Sequence, residues 1–260
     1  MLHTGLVSIT FRKLTPARII ELVVQAGLEG IEWGGDVHVP HGDLAIARQV
    51  RKMTEAAGLK VAAYGSYYRA GILLNEGIPF ESVIETAVEL GAPVIRVWAG
   101  NKGSAAMAAP ERLAVVTALK TMGAQAARAG KWVALEYHAQ TLTDTNESAL
   151  DLMREVNHPN VRLYWQPYAR EAFDYCLEGL KACLPLVTHI HIFSWQYAGE
   201  VIQRLPLADG DVRWAEYLKV IRSSGRDHFV MIEFVKDDRE AQFLADAAAL
   251  KSWVDAAVGG

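Results

Sequence analysis

Cysteine is nearly absent from the 260 residues: Cys176 and Cys183 are the only two. They cannot build a disulfide framework or a CxxC zinc knuckle. Seven positions apart on a helical run, they read as packing in a reducing compartment. No apolar run is long enough to span a bilayer. Met1 to Ile9 lacks the basic and apolar regions of a signal peptide, so the expected location is cytoplasmic. Positive charge is not in excess either. Lys and Arg number 26 against 30 Asp and Glu, a net charge of −4. This argues against a nucleic acid or an anionic membrane as partner. The glycine-rich signatures G-x-G-x-x-G and G-x-x-x-x-G-K-[ST] are also missing, which weakens a doubly wound nucleotide-binding sheet and leaves a phosphorylated ligand unsupported, although Arg12, Arg69 and Arg204 could supply charge for one.

What is present is a regular alternation. Short apolar or β-branched runs fall at Gly5–Ile9, Gly30–Trp33, Lys60–Tyr64, Val94–Trp98, Trp132–His138, Val161–Gln166, Val187–Phe193 and Phe229–Phe234. Between them lie helical stripes such as Ile19, Leu22, Val23 and Ala26, and Ala149, Leu152, Met153 and Val156. Thr15–Pro16, Asp43 and Pro110 read as helix starts, and Gly27, Gly58, Gly91, Gly130 and Gly225 as helix stops. Eight strand–helix units without a linker predict one α/β domain over residues 1–260, a closed (β/α)8 barrel. Ser194 to Val212 is expected to form a loop or lid after the seventh strand.

Alternate residues of a barrel strand face the interior. By that parity Glu136, His138, Gln166, His191 and Glu233 share the inward face near the strand ends, with Glu32, Tyr64 and Arg96 from earlier strands. Barrel active sites are built at that end. Two glutamates, a histidine and an amide oxygen would suit a hard divalent cation, Mn²⁺, Mg²⁺, Co²⁺ or Zn²⁺. The competing reading is a closed polar network in which Arg96 or Arg162 neutralises the glutamates.

These residues carry a resemblance. ALEYH around Glu136, LYWQP around Gln166, THIHIF around His191 and MIEF around Glu233 resemble the ends of the fifth to eighth strands in the sugar phosphate isomerase/epimerase family, the xylose isomerase-like barrels. The resemblance covers nearly the whole chain. It implies a metal held by Glu136, Gln166, His191 and Glu233, with Glu136 and Glu233 as the catalytic pair that moves a proton through an enediolate. Two departures stand out: Gln166 replaces the usual Asp, and Ala169 replaces the His that follows it. A neutral amide brings no charge, so weaker metal retention and stronger Lewis acidity are expected.

The implied activity is a metal-dependent isomerase or epimerase acting on a small sugar or keto-sugar. The alternatives are a lyase on 3-keto sugars in the same pocket, and a sugar-binding barrel that has lost its chemistry. The barrel endonucleases for abasic DNA are disfavoured by the acidic charge and by eight scattered histidines. Expected substrate contacts are Glu32, His38, Tyr68, Arg69, Arg96, His138 and Trp195. Tyr67, Tyr68 and Arg69 follow the third strand together, and aromatics stack on sugar faces while arginine binds anions. His41 reads as a loop histidine, His189 as a buried structural one, and Trp214 as packing on a helix. Barrels of this kind often pair into homo-oligomers, but no stretch marks an interface.

Overall fold

The computed structural model describes residues 1–72, 77–168 and 170–256, so Ala169 lies outside the described residues. Eight parallel strands close into a barrel: β1 (Leu2–Val7), β2 (Gly30–Gly34), β3 (Lys60–Arg69), β4 (Val94–Trp98), β5 (Trp132–Glu136), β6 (Val161–Trp165), β7 (Val187–Ile192) and β10 (His228–Ile232). Each neighbours the next in chain order, and β10 pairs with β1 to close the ring. Around it lie α1 (Pro16–Ala26), α2 (Leu44–Ala56), α3 (Phe80–Leu90), α4 (Ala109–Arg128), α5 (Asn146–Val156), α6 (Phe173–Cys183), α7 (Asp211–Ser223) and α8 (Glu240–Ala256). This is the (β/α)8 barrel that the alternation predicts. Among the described residues, no helix is long and apolar enough to cross a membrane.

The helix signals act as chemistry requires. The Thr15 side chain accepts the Arg18 N–H, and the Asp43 side chain accepts that of Ile46. Gly27 ends α1 at φ 65, where its N–H reaches back to Val23 O and Val24 O. The outer core fills the space between strands and helices with side chains such as Leu22, Leu90, Leu135, Leu152, Ile190 and Leu250, all buried. Each is worth about 1.5–3 kcal/mol of transfer free energy. Cys176 and Cys183 belong to this layer as free, buried thiols. Inside the ring a smaller cluster, including Val7, Ala62, Ala63, Val94, Ala134, Tyr164 and Met231, plugs the barrel below its mouth.

Four departures from the sequence reading matter for the site. β1 begins earlier and ends at Val7, because Ser8 turns into a 3-10 segment (Ser8–Phe11) and its hydroxyl accepts the Gly34 N–H at 2.9 Å. β3 slips by one residue against β2, so Ala62 and Ala63 both join the inner cluster. The slip reverses parity, and Tyr64 points outward, where its hydroxyl donates to Val39 O at 2.8 Å, instead of converging on the axis. β10 stops at Ile232, and Phe234 adopts φ 54. That turn sends Phe234 to the inner cluster and Val235 to the outer core, the reverse of strict alternation. The expected loop at 194–212 instead holds a hairpin, β8 (Trp195–Ala198) with β9 (Val201–Arg204), before α7 starts at Asp211. The antiparallel pair, turning at Gly199 (φ 62), adds two strands to a unit whose alternation predicts one.

Candidate active site

The charged layer sits directly above the inner plug and is built from the bottom by β2, β4 and β6. Glu32 on β2 is fully buried. Its Oε1 accepts Arg96 Nε from β4 at 2.7 Å, and its Oε2 accepts the Tyr164 hydroxyl from β6. His191 Nε2, on β7, lies 3.1 Å from the same Oε2. Burial alone would raise the Glu32 carboxyl, but Arg96 and then His191 and Tyr164 outweigh it and hold the group well below the usual carboxylate range. Gly65 leaves room for this pair. A Cβ there would stand 2.6 Å from Glu32 Oε1 and 2.8 Å from Arg96 Nη2. The sequence reading gives Glu32 to the substrate. The structure instead saturates both of its oxygens from within the protein.

Glu136, at the end of β5, is half saturated. Its Oε2 accepts Arg96 Nη1 and, at 2.6 Å, Trp98 Nε1. Its Oε1 lies 3.5 Å from His191 Nδ1 and 3.4 Å from Gln166 Nε2. Burial would raise this carboxyl too; Arg96 and His191 outweigh that and hold it at about 2. Arg96 is therefore the neutralising arginine, and it also keeps a buried Nη2 without a hydrogen-bond partner. Arg162 lies elsewhere, over the Trp132 ring at 4.7 Å.

Glu233 differs from both. It follows β10, held by its own N–H donating to Ile192 O at 3.0 Å. Its carboxylate is 3.5 Å from His191 Nδ1, and among the described residues no other donor reaches it. Burial would lower the His191 imidazole, but Glu233, Glu32 and Glu136 outweigh that and hold it well above its ordinary range.

Glu136, His191 and Glu233 bring their ligand atoms within 4.8 Å of one another, all buried. Three observations make this donor set fit a divalent cation. His191 turns Nε2 to Glu32, which leaves Nδ1 to face Glu136 and Glu233, the arrangement in which a carboxylate behind a histidine orients it as a ligand. Gln166 uses Nε2 on Tyr137 O at 2.6 Å, while its Oε1 is buried without a partner. The layer holds three carboxylates and one guanidinium, which pairs with Glu32 and Glu136, so two negative charges remain for a dication or for protons, that of His191 among them, to balance.

The rim is aromatic and cationic. Tyr67 lies over Arg96, with its ring centre 4.8 Å from the guanidinium, and meets Trp98 edge-on at 5.3 Å. Arg69 lies 4.2 Å above the Trp98 ring. His138 packs on Trp98 at 4.7 Å and places Nδ1 on Ala139 O. Trp195 stacks on Phe193 at 3.8 Å, on the hairpin side. Tyr68 turns against Phe80 of α3, while still lining a cavity of about 520 Å³ with Tyr67, Arg69 and Asp36. His38 is buried away from the axis, 3.0 Å from Ser8 Oγ and edge-on to Trp33, so it braces the loop after β2 and does not face the mouth. His189 is buried one layer down, where it accepts the Phe229 N–H at 3.2 Å, and Trp214 packs on α7. Thus Glu136, Gln166, His191 and Glu233 come together, Arg96 joins them from below, and Arg69, His138 and Trp195 stand at the rim. Tyr164 is given no role by the sequence reading, and Tyr67 is named there only beside Tyr68 and Arg69. Strand parity alone puts Tyr164 on the inward face, whereas Tyr67 reaches the mouth only through its bulged backbone.

Comparison with known proteins agrees with this architecture. A 3-dehydroshikimate dehydratase of Bacillus anthracis is 25% identical over 262 residues, spanning 88% of this chain and 90% of that protein. The crystal structure of a probable 3-DHS dehydratase involved in petrobactin synthesis from Bacillus anthracis superposes with a TM-score of 0.79 at 23% identity, covering 96% of this chain and 99% of its own. A xylose isomerase-like TIM barrel protein from Mycobacterium smegmatis, solved in complex with magnesium, gives a TM-score of 0.76 at 15% identity over 98% of this chain and 97% of its own. The profile of the xylose isomerase-like TIM barrels matches residues 20–253, and this chain belongs to that family.

Proposed function

We propose that this barrel is a divalent-metal-dependent enzyme that removes a proton from the carbon beside a carbonyl in a small polyhydroxylated substrate, and that the resulting enolate expels a β-hydroxyl as water. Glu136, His191, Glu233 and the Gln166 amide oxygen would hold the cation, Mn²⁺, Mg²⁺, Co²⁺ or Zn²⁺, which when bound polarises a carbonyl oxygen and acidifies the neighbouring C–H. A magnesium complex in a barrel of the same fold supports this choice. Glu233 is the base. The observation that carries the reading is the unequal loading of the carboxylates: Glu32 and Glu136 accept donors from Arg96, Tyr164 and Trp98, while Glu233 faces only His191. A carboxylate that accepts two hydrogen bonds on one oxygen is a poor base there, since each bond favours the charged form.

This asymmetry separates the reactions open to the site. Inversion at one carbon needs two opposed bases, and the outer oxygen of Glu136 is occupied. Elimination and isomerisation need one. Elimination is supported by the dehydratase relative, which matches along most of both chains. Isomerisation is the second reading, favoured by the position-for-position match of Glu136, His191 and Glu233 to the pattern implied by the family resemblance. There Glu233 would return the proton to the adjacent carbon.

The test is a metal-supplemented screen of 3-dehydroshikimate, ketoses and 3-keto sugars in D₂O, read by NMR. The expected result is a dehydrated product, with deuterium at the carbon beside the carbonyl in the recovered substrate. An isomer without dehydration selects the second reading. Absence of both exchange and dehydration with every metal and compound contradicts both readings.

A further inference from the structure

Expulsion of a hydroxyl requires a proton on the departing oxygen. At the centre, Arg96 Nη2 has no partner, but a guanidinium does not give up its proton, and His191 turns Nδ1 to Glu136 and Glu233. Arg96 Nη1 and Trp98 Nε1 donate to Glu136, and the Tyr164 hydroxyl donates to Glu32. One hydroxyl at the mouth is differently placed. Tyr67 sits at the middle of a bulge in β3, where Gly65 pairs with Arg96 and Arg69 pairs with Trp98, so the three residues 66–68 face the single residue Val97. Its backbone lies at φ 57, a conformation that is costly for an aromatic residue. Bulges of this kind re-aim a side chain, and here the ring is laid over Arg96 and against Trp98.

The hydrogen bonding of Tyr67 is the second observation. Its oxygen accepts Arg12 Nη2 at 3.4 Å, and Arg12 is itself anchored on Asp36. Among the described residues no acceptor takes the hydrogen of Tyr67. The phenol thus offers an unused O–H, on a residue that lines the cavity of about 520 Å³ with Asp36 and Arg69 and lays its ring over Arg96 of the charged layer. Burial pushes its pKa upward, so the proton is present. The charged groups around it are Arg96 and Arg12 on the cationic side, and Asp36, Glu233 and Glu136 on the anionic side.

We propose that Tyr67 is the proton donor of this site, giving its hydroxyl hydrogen to the oxygen that leaves from the carbon β to the carbonyl. The proposal rests on the elimination reading above. Glu233 takes the α-proton, and the C–H electron pair becomes the new C=C bond. The C–O pair departs with the hydroxyl, which the Tyr67 proton converts to water. Arg12 and Arg96 face the phenolate that remains. It recovers a proton from solvent, Glu233 releases its own, and the net change is loss of one water from the substrate.

The experiment uses Tyr67→Phe, which keeps the ring on Arg96 and Trp98. With Mn²⁺ bound and 3-dehydroshikimate in D₂O, deuterium exchange and dehydration are followed on the same sample. The expected result is exchange within about threefold of the wild type and dehydration slowed about 100-fold or more. Mn²⁺ affinity by calorimetry should stay within about twofold. Dehydration within about threefold of the wild type overturns the assignment. So does a parallel loss of exchange and dehydration, which marks a residue that only positions Arg96. A wild type that exchanges without dehydrating overturns the elimination reading and the donor with it, and this is read before the variant is examined.

Discussion

Two carboxylates a few ångströms apart in one barrel have opposite environments. Glu32 is enclosed: arginine, tyrosine and histidine meet its two oxygens, and it has no surface. Glu233 is held only by its backbone and meets a single imidazole. A buried ion that is fully hydrogen-bonded is scaffold, because every lone pair that could do chemistry is already used. A buried ion that lacks partners must be compensated from outside the protein, by a cation, a proton or a substrate. Glu136 stands between them, with one oxygen tied to Arg96 and Trp98 and the other turned to the candidate metal centre. The contrast separates the glutamates bound into the scaffold from Glu233, the one proposed as the base.

The largest effect should come from the scaffold. Arg96→Met leaves Glu32 and Glu136 buried without their cation, and should cost about 3–5 kcal/mol in urea unfolding. A loss below about 1 kcal/mol would remove the claim that Arg96 holds the layer together. Glu233→Gln acts on the other side of the comparison. It should leave urea stability nearly unchanged while α-proton exchange falls about 100-fold to 1000-fold. Equal losses of stability and exchange would mean that the two carboxylates do not differ in kind. Gln166→Asp restores a charge at the open side, and should tighten Mn²⁺ by about tenfold in calorimetry. Unchanged affinity would take Gln166 out of the ligand set. The smallest effect concerns histidines of the scaffold. Burial lowers both His38 and His228, so the folded state binds their protons less readily than the unfolded chain. Stability is complete above the unfolded value of about 6.5 and declines as pH falls through it. His191, which is raised, opposes this trend, so the wild type is compared with His228→Gln: the wild type should lose more of its urea midpoint between pH 7.5 and 5.5, and equal losses would contradict this.

Much of this was legible before folding. Strong β-branched runs and helix-ending glycines mark the eight units, because strand burial and left-handed caps restrict residue choice sharply. The same parity brings Glu136, Gln166, His191 and Glu233 to one end. What stayed hidden depends on contacts across strands. The slip at Ala62 and Ala63, which turns Tyr64 outward, exists only when β2 and β3 pair. The bulge that aims Tyr67, and the φ of 54 that inverts Phe234, have no local sequence signature. Glu32 looked like a hydroxyl-binding residue because parity reports direction, whereas saturation is a property of three other strands. Parity allows Arg96 as a neutraliser, yet its double grip on Glu32 and Glu136, which leaves Glu233 outside the ion pair, is a fact of geometry.

The central claim is that four side chains from consecutive later strands of the barrel share one cation. Crystals equilibrated with Mn²⁺ and measured at its absorption edge test it directly. The account predicts a single anomalous peak bounded by Glu136, Gln166, His191 and Glu233, with Arg96 still on Glu32. A saturated crystal with no peak there, or with its peak at another cluster, contradicts it.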